Sequence, residues 1–260
     1  MKTSVSHLMD KTRSLLLALD QGLEHGPTDF NLKSIDPEYI LDIAVKGRYN
    51  GMILQKGLAE KYWDGYQHKI PLVVKVNGKT NIPDIEPYSP ITCSVKRAVE
   101  LGADAIGFTV YLGSPMEPII FQDFRRIQEE AHDFGLPVIA WMYPRGKFVR
   151  KDTAIDILAY AARAGLELGA DMLKMKFNTD IPGYKWVVKS AGNVPLVCAG
   201  GSHLKDDQFL KRAHDIMQTG ASGMAIGRNI WQHENPLKMT RAVKSIIFQN
   251  KTVEQAKKFL

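Results

Sequence analysis

The run Met172-Leu173-Lys174-Met175-Lys176-Phe177 puts two amines where a buried strand would normally be apolar. On a period-two strand, Leu173, Met175 and Phe177 share one face, while Met172, Lys174 and Lys176 share the other. Lysine is almost never fully buried without a partner or a use. One use is nucleophilic, in which a neutral amine attacks a carbonyl and forms a Schiff base. Bringing a lysine from about 10.4 to about 7 requires roughly 4–5 kcal/mol of destabilisation of its ammonium form. Desolvation and a nearby second cation both act in that direction. A structural use exists as well: one lysine pairs with a strand-end carboxylate while the other reaches solvent. Lys75, which shares a face with Val73 and Asn77, is a second interior amine. Alternation does not rank it against Lys174.

Other strand ends carry groups suited to the same chemistry. Asp20 follows Leu-Ala-Leu and shares a face with Ala18, so it can hold a lysine or move a proton; it can equally cap the turn that follows. Tyr143 ends an apolar run and is followed by Pro144-Arg145-Gly146. A strand-end tyrosine can act as general acid or base, or pack half-buried. Two later segments, Ala199-Gly200-Gly201-Ser202 and Gly227-Arg228-Asn229, bring glycines and an arginine. Backbone N–H groups beside glycine can approach phosphate oxygens, and a guanidinium offers a bidentate fork.

The elements that must position these groups read as eight short apolar runs, at 14–20, 51–55, 71–77, 105–111, 137–143, 172–177, 195–201 and 223–229. Amphipathic stretches lie between them, clearest at 117–134, 152–168, 205–218 and 235–247. Ser94 is expected to cap a helix at 94–101, and Asp152 or Thr153 to open the one after the fifth strand. Eight strands alternating with helices predict an α/β fold, a (β/α)8 TIM barrel, as a single domain over 1–260. In that fold, chemistry gathers at the C-terminal strand ends, and the loops after strands seven and eight often take a phosphate. An open doubly wound sheet is the alternative. Its Gly-rich turn after the first strand is missing, because the turn here reads Asp-Gln-Gly-Leu-Glu-His-Gly.

Composition agrees with a globular chain. Of 260 residues, 45% are hydrophobic and 24% charged, which excludes a disordered tail protein. No window reaches eighteen apolar residues, and the polar start is not a secretory signal, so no membrane association is expected. Two cysteines make no disulfide framework, and a cytoplasmic location is expected. The seven histidines form no H-x-H or H-E-x-x-H pattern, so no metal site is expected. A net charge of +6 fits anionic partners, either phosphorylated molecules or nucleic acid. No aromatic-basic RNA-binding motif is present, so no nucleic acid is expected.

The segments LDQGLEHGPTDF, LQKGLAEKYWDG, KVNGKT, CSVKRAVELGADAIGFTVYLGS, WMYPRG, AYAARAGLELGADMLKMKF, VPLVCAGG and GMAIGRNIWQ together resemble the archaeal-type class I fructose-1,6-bisphosphate aldolases, within the wider DhnA/FbaB group. The resemblance runs over nearly the whole chain. It implies an aldolase-type TIM barrel, a lyase of glycolysis and gluconeogenesis that works through a covalent imine, with no metal or other cofactor. Lys174, matching the first lysine of the family's K-x-K-Y-T-G, would form the imine with the ketose C2. Tyr143 would be the general acid/base at the C4 hydroxyl, and Asp20 would orient the lysine and assist proton transfer. Gly200, Gly201, Gly227 and Arg228 match the site for the phosphate of the dihydroxyacetone half. Arg145 and Lys56 would reach the second phosphate. The resemblance also implies a homo-oligomer, a decamer.

Several positions depart from the family pattern. Gln21 stands in place of histidine, Phe177-Asn178-Thr179-Asp180 in place of Y-T-G-D, and Ala199 in place of serine. None touches the lysine or the tyrosine. They leave room for a second reading, a Schiff-base aldolase or transaldolase acting on another phosphorylated ketose, an aromatic-precursor or signalling sugar. A third reading is a non-catalytic binder on an inherited barrel.

Overall fold

All eight apolar runs form strands whose residues are buried on both faces, which is why they read as continuous hydrophobic stretches rather than as alternating ones. The computed structural model describes residues 3–260. The strands are β1 (Ser14–Leu19), β2 (Gly51–Gln55), β3 (Leu72–Lys75), β4 (Ala105–Val110), β5 (Val138–Met142), β6 (Met172–Met175), β7 (Leu196–Ala199) and β8 (Gly223–Ile226). Each pairs in parallel with the next, and β8 pairs with β1, closing the barrel. The expected (β/α)8 TIM barrel is therefore the fold, and the open-sheet alternative is excluded.

The closed sheet divides the core into two layers. Leu15, Leu17, Leu173 and Met175 face the surrounding helices. Leu16, Ala18, Ile53, Val73, Ile139, Trp141, Met172, Val197 and Ala225 fill the interior. Val5 and Leu8 join that interior cluster from the N-terminal segment, where Ser14 Oγ donates to the Leu8 carbonyl at 2.7 Å. The layer nearest the strand starts is apolar apart from Ser14, and the charged groups enter toward the strand ends.

The helices begin close to their expected places. Glu117–Asp133, Asp206–Gln218 and Pro236–Gln249 answer the three clearest patterns outside the fifth unit. Ser94 caps Val95–Glu100 by accepting from the Arg97 N–H. The helix after β5 is the correction: it runs Ile155–Glu167 with Ala154 at its N-cap, and neither Asp152 nor Thr153 opens it. The Asp152 carboxylate is drawn instead to the Lys176 ammonium, and the Thr153 carbonyl accepts from the Asn178 amide. Among the described residues, no helix is long and apolar enough to cross a membrane.

Candidate active site

At the C-terminal mouth of the barrel lies a cavity of about 390 Å³. Asp20, Tyr143, Arg145, Lys174, Gly200, Gly201, Gly227 and Arg228 all line it, so eight of the nine residues to which the resemblance gives a role meet in one place. Lys75 and Lys176 line it too.

The alternation of β6 holds. Met172 lies in the interior layer and Leu173 and Met175 in the outer one, which sends Lys174 inward. Its side chain is buried, with Nζ 3.8 Å from Asp20 Oδ1 and 4.5 Å from the centre of the Trp141 ring. Trp141 is the register partner of Lys174 across β5 and β6. Lys75 approaches the same ring at 5.5 Å, so one indole is shared by two buried ammonium groups.

Gly107 makes room for this arrangement. A Cβ there would fall 2.4 Å from Trp141 Cη2 and 3.3 Å from Lys75 Cδ.

Burial lowers the pKa of both lysines. It holds Lys75 down to about 8, with Lys174 pushing the same way and the Asp20 charge resisting. Lys174 is also lowered by burial, against the attraction and hydrogen bond of Asp20. Their hydrogen bonding differs: Lys75 Nζ donates to the Asn77 carbonyl at 2.8 Å, whereas Lys174 faces a carboxylate.

Tyr143 lies one residue beyond β5, its N–H bonded to the Val110 carbonyl at 3.0 Å and its ring against the interior layer. Burial pushes its hydroxyl well above 10, and the Asp20 and Glu24 charges add to that. The resting phenol is therefore protonated at neutral pH. Arg145 is held by Glu24 at 2.8 Å and lies over the Tyr111 ring at 5.6 Å.

Across the mouth, Arg228 joins Asp29 at 3.2 Å and donates to the Gly201 carbonyl at 3.2 Å. Asn229, buried beside it, donates to the Ser202 carbonyl at 3.0 Å and accepts from the Leu204 N–H at 2.8 Å. Gly201 has φ +77°, a conformation that costs a residue with a side chain, and its missing Cβ leaves space for the Arg212 guanidinium.

Lys56 is the exception. It opens the helix Lys56–Tyr62 and lines a neighbouring, mainly apolar cavity of about 560 Å³ with Phe30, Pro37 and Leu58, which shares Leu23 and Gln55 with the mouth. Lys56 sits apart from the other eight: β2 ends at Gln55, which lines both cavities, and Lys56 opens the helix beside the second one.

Sequence reasoning passed over four mouth residues. Gln55 was findable by the rule that selected Asp20, since it is a polar residue two positions after interior-facing Ile53. Trp141 packs the interior and also lies against both lysines; its buried Nε1 has no hydrogen-bond partner among the described residues. Glu24 sits in the loop after β1, where a charge is unremarkable in sequence. Arg212 lies on a helix, where polar residues are the norm. Gln21, one of the departures, lines the cavity with a buried amide nitrogen that likewise lacks a partner. Among the described residues, no three His, Cys, Asp or Glu side chains gather as a metal site.

Comparison with known proteins agrees with this geometry. The family model described as DeoC/LacD family aldolase matches residues 14–233. The chain is 45% identical over 246 residues to the fructose-bisphosphate aldolase class 1 of Thermoproteus tenax, covering 94% of this chain and 92% of that one. It is 37% identical to the fructose-bisphosphate aldolase/6-deoxy-5-ketofructose 1-phosphate synthase of Methanocaldococcus jannaschii, covering 94% and 84%. Among solved structures it matches an archaeal fructose-1,6-bisphosphate aldolase whose catalytic lysine is covalently bound to the carbinolamine intermediate. That match has a TM-score of 0.89 and 43% identity, covering 94% of this chain and 98% of the other.

Proposed function

The chain belongs to the DeoC/LacD family of aldolases, and from that premise we propose that it is a class I lyase that cleaves fructose 1,6-bisphosphate to dihydroxyacetone phosphate and glyceraldehyde 3-phosphate, and runs the reverse condensation. The observation that carries this reading is the buried Lys174 amine, inside the barrel beside Asp20, with its pKa lowered by burial.

In this reading, the neutral Lys174 amine attacks the ketose C2, and loss of water from the carbinolamine leaves an iminium. Removal of the C4 hydroxyl proton lets the C3–C4 bond break, its electron pair passing to the iminium nitrogen as an enamine. Glyceraldehyde 3-phosphate departs, C3 is protonated, and water returns the amine. Tyr143 exchanges the C4 hydroxyl proton. Its resting phenol is held protonated by burial and by the Asp20 and Glu24 charges, and the positive iminium offsets those charges as it forms. Asp20 orients Lys174 and carries protons during imine formation. The iminium is the electron sink, so the mechanism requires no metal or organic cofactor.

Gly200, Gly201, Gly227 and Arg228 receive the C1 phosphate, and Arg145 the second phosphate. For Arg145 that requires exchanging its Glu24 partner for the ligand. With Lys56 in another cavity, Arg145 is the remaining candidate for that end from the sequence reading. A cytoplasmic homo-oligomer, ten-membered by the family resemblance, completes the proposal.

One observation favours a second reading, the same lysine chemistry on another phosphorylated ketose: the unpartnered amide of Gln21, which departs from the histidine of the family pattern, lines the cavity. A coupled assay over a panel of phosphorylated ketoses, run with and without a chelator, decides between them. Cleavage of fructose 1,6-bisphosphate at least tenfold better than the other ketoses, unaffected by chelation, is expected. Loss of activity on chelation would overturn the metal-free mechanism, and preference for another ketose would establish the second reading.

A further inference from the structure

We propose that Arg212 is a direct ligand of the substrate's C1 phosphate and makes this site selective for phosphorylated donors. The inference rests on the proposed function for the identity of the substrate, but the feature itself is local. Three arginines line the mouth cavity. Arg145 is paired with Glu24 and Arg228 with Asp29. Arg212 has no carboxylate partner among the described residues.

Arg212 reaches up from the helix Asp206–Gln218 beneath the Gly200-Gly201 turn. One donor, Nη1, meets the Gly200 carbonyl at 3.2 Å, while Arg228 Nη2 meets the next carbonyl, Gly201, at 3.2 Å from its own side. Two guanidinium groups therefore bracket the glycine pair; the Gly200 N–H is taken by the Ala225 carbonyl at 3.1 Å, which leaves the Gly201 N–H for a phosphate. A Cβ on Gly201 would fall 2.4 Å from Arg212 Nη1, so the approach depends on glycine at that position.

The environment of Arg212 is incomplete without an anion. The side chain is half-buried, and its desolvation is opposed by no neighbouring negative charge. A guanidinium stays protonated and carries five N–H donors, more than one carbonyl can satisfy. Leaving a partly desolvated cation uncompensated is costly, and a phosphate dianion removes that cost while accepting the spare donors in a fork. The consequence is selectivity: a donor without phosphate would leave Arg212 as it stands now.

The test has two arms. Inorganic phosphate is titrated calorimetrically into wild type, R212M and R212K. R212M is expected to bind phosphate about 10- to 100-fold more weakly, the loss typical of a charge-assisted hydrogen bond, with R212K in between because an ammonium lacks the fork. In the second arm, borohydride trapping of dihydroxyacetone phosphate is compared with trapping of dihydroxyacetone, and the preference for the phosphorylated donor falls by a similar factor in R212M. If Arg212 only props the Gly200 carbonyl, R212M lowers thermal stability and leaves both phosphate affinity and donor preference at wild-type values; that result overturns the proposal. Should wild type trap neither donor, the proposed function fails, while the phosphate titration still decides the role of Arg212.

Discussion

The Lys174 ammonium lies 3.8 Å from the Asp20 carboxylate, although the two residues come from β6 and from the residue after β1, strands that are not neighbours in the barrel. Closure of the sheet brings them together. Asp20 raises the Lys174 pKa against the pull of burial, and its carboxylate is placed to exchange a proton with the amine.

Replacing Asp20 with Asn removes that opposing charge, and the Lys174 pKa falls further. The acid limb of the pH profile for adduct formation then moves to lower pH. Turnover nonetheless drops about 10²- to 10⁴-fold, the usual contribution of a positioned proton carrier. Trapping rates and steady-state rates measured across pH check both halves. An acid limb that moves to higher pH would contradict the electrostatic account.

Tyr143→Phe separates bond cleavage from imine formation. The adduct at Lys174 should still form with dihydroxyacetone phosphate, while cleavage of fructose 1,6-bisphosphate falls about 10²- to 10⁴-fold. Single-turnover assays resolve the two steps. Equal loss of both would assign Tyr143 a different role.

Lys75 gives a stability prediction with a definite sign. Its pKa is held at about 8, below the ordinary 10.5, so between those values the unfolded chain binds the extra proton. Stability contributed by this group therefore rises as pH goes from about 8 to about 10.5 and is missing below 8, with an upper bound of about 3 kcal/mol. Lys75→Met, similar in length and uncharged, should be more stable than wild type at pH 7, and the difference should shrink above pH 8. Denaturant unfolding at pH 7 and pH 10 reads this directly; a variant less stable at pH 7 would refute it.

Gly107→Ala tests how Trp141 is held. The added methyl would meet the indole 2.4 Å away, in the buried interior where overpacking typically costs about 1–3 kcal/mol. Displacing the ring from the two lysines should also slow adduct formation. Thermal unfolding and tryptophan fluorescence, read with the trapping rate, check the coupling. Wild-type stability and wild-type trapping would show the contact to be slack.

Much of this architecture was legible because burial on both faces leaves continuous apolar runs, and a charge inside such a run stands out. Lys174 and Lys75 stand out that way together, and only the family resemblance separates them; Asp20 and Tyr143 stand out as polar residues at strand ends. Seven of the eight observed strands are shorter than the expected runs, while β2 matches its run; β6 ends at Met175 rather than at Phe177, and Lys176, just beyond it, pairs with Asp152. Lys56 and Gln55 show what one position changes at a strand end: the alternation that puts Ile53 inside brings Gln55 to the mouth, while Lys56 lines only the neighbouring cavity. Arg212 was not legible at all. On an amphipathic helix an arginine is ordinary, and only the folded barrel sets it beneath the Gly200-Gly201 turn.

The central claim is that Lys174, and not the equally buried Lys75, carries the substrate as an imine. Reduction with borohydride in the presence of dihydroxyacetone phosphate, followed by peptide mass mapping, measures this. The account predicts one reduced adduct on the peptide containing Lys174, retained in Lys75→Met and lost in Lys174→Met. An adduct on Lys75, or one that survives in Lys174→Met, would contradict it.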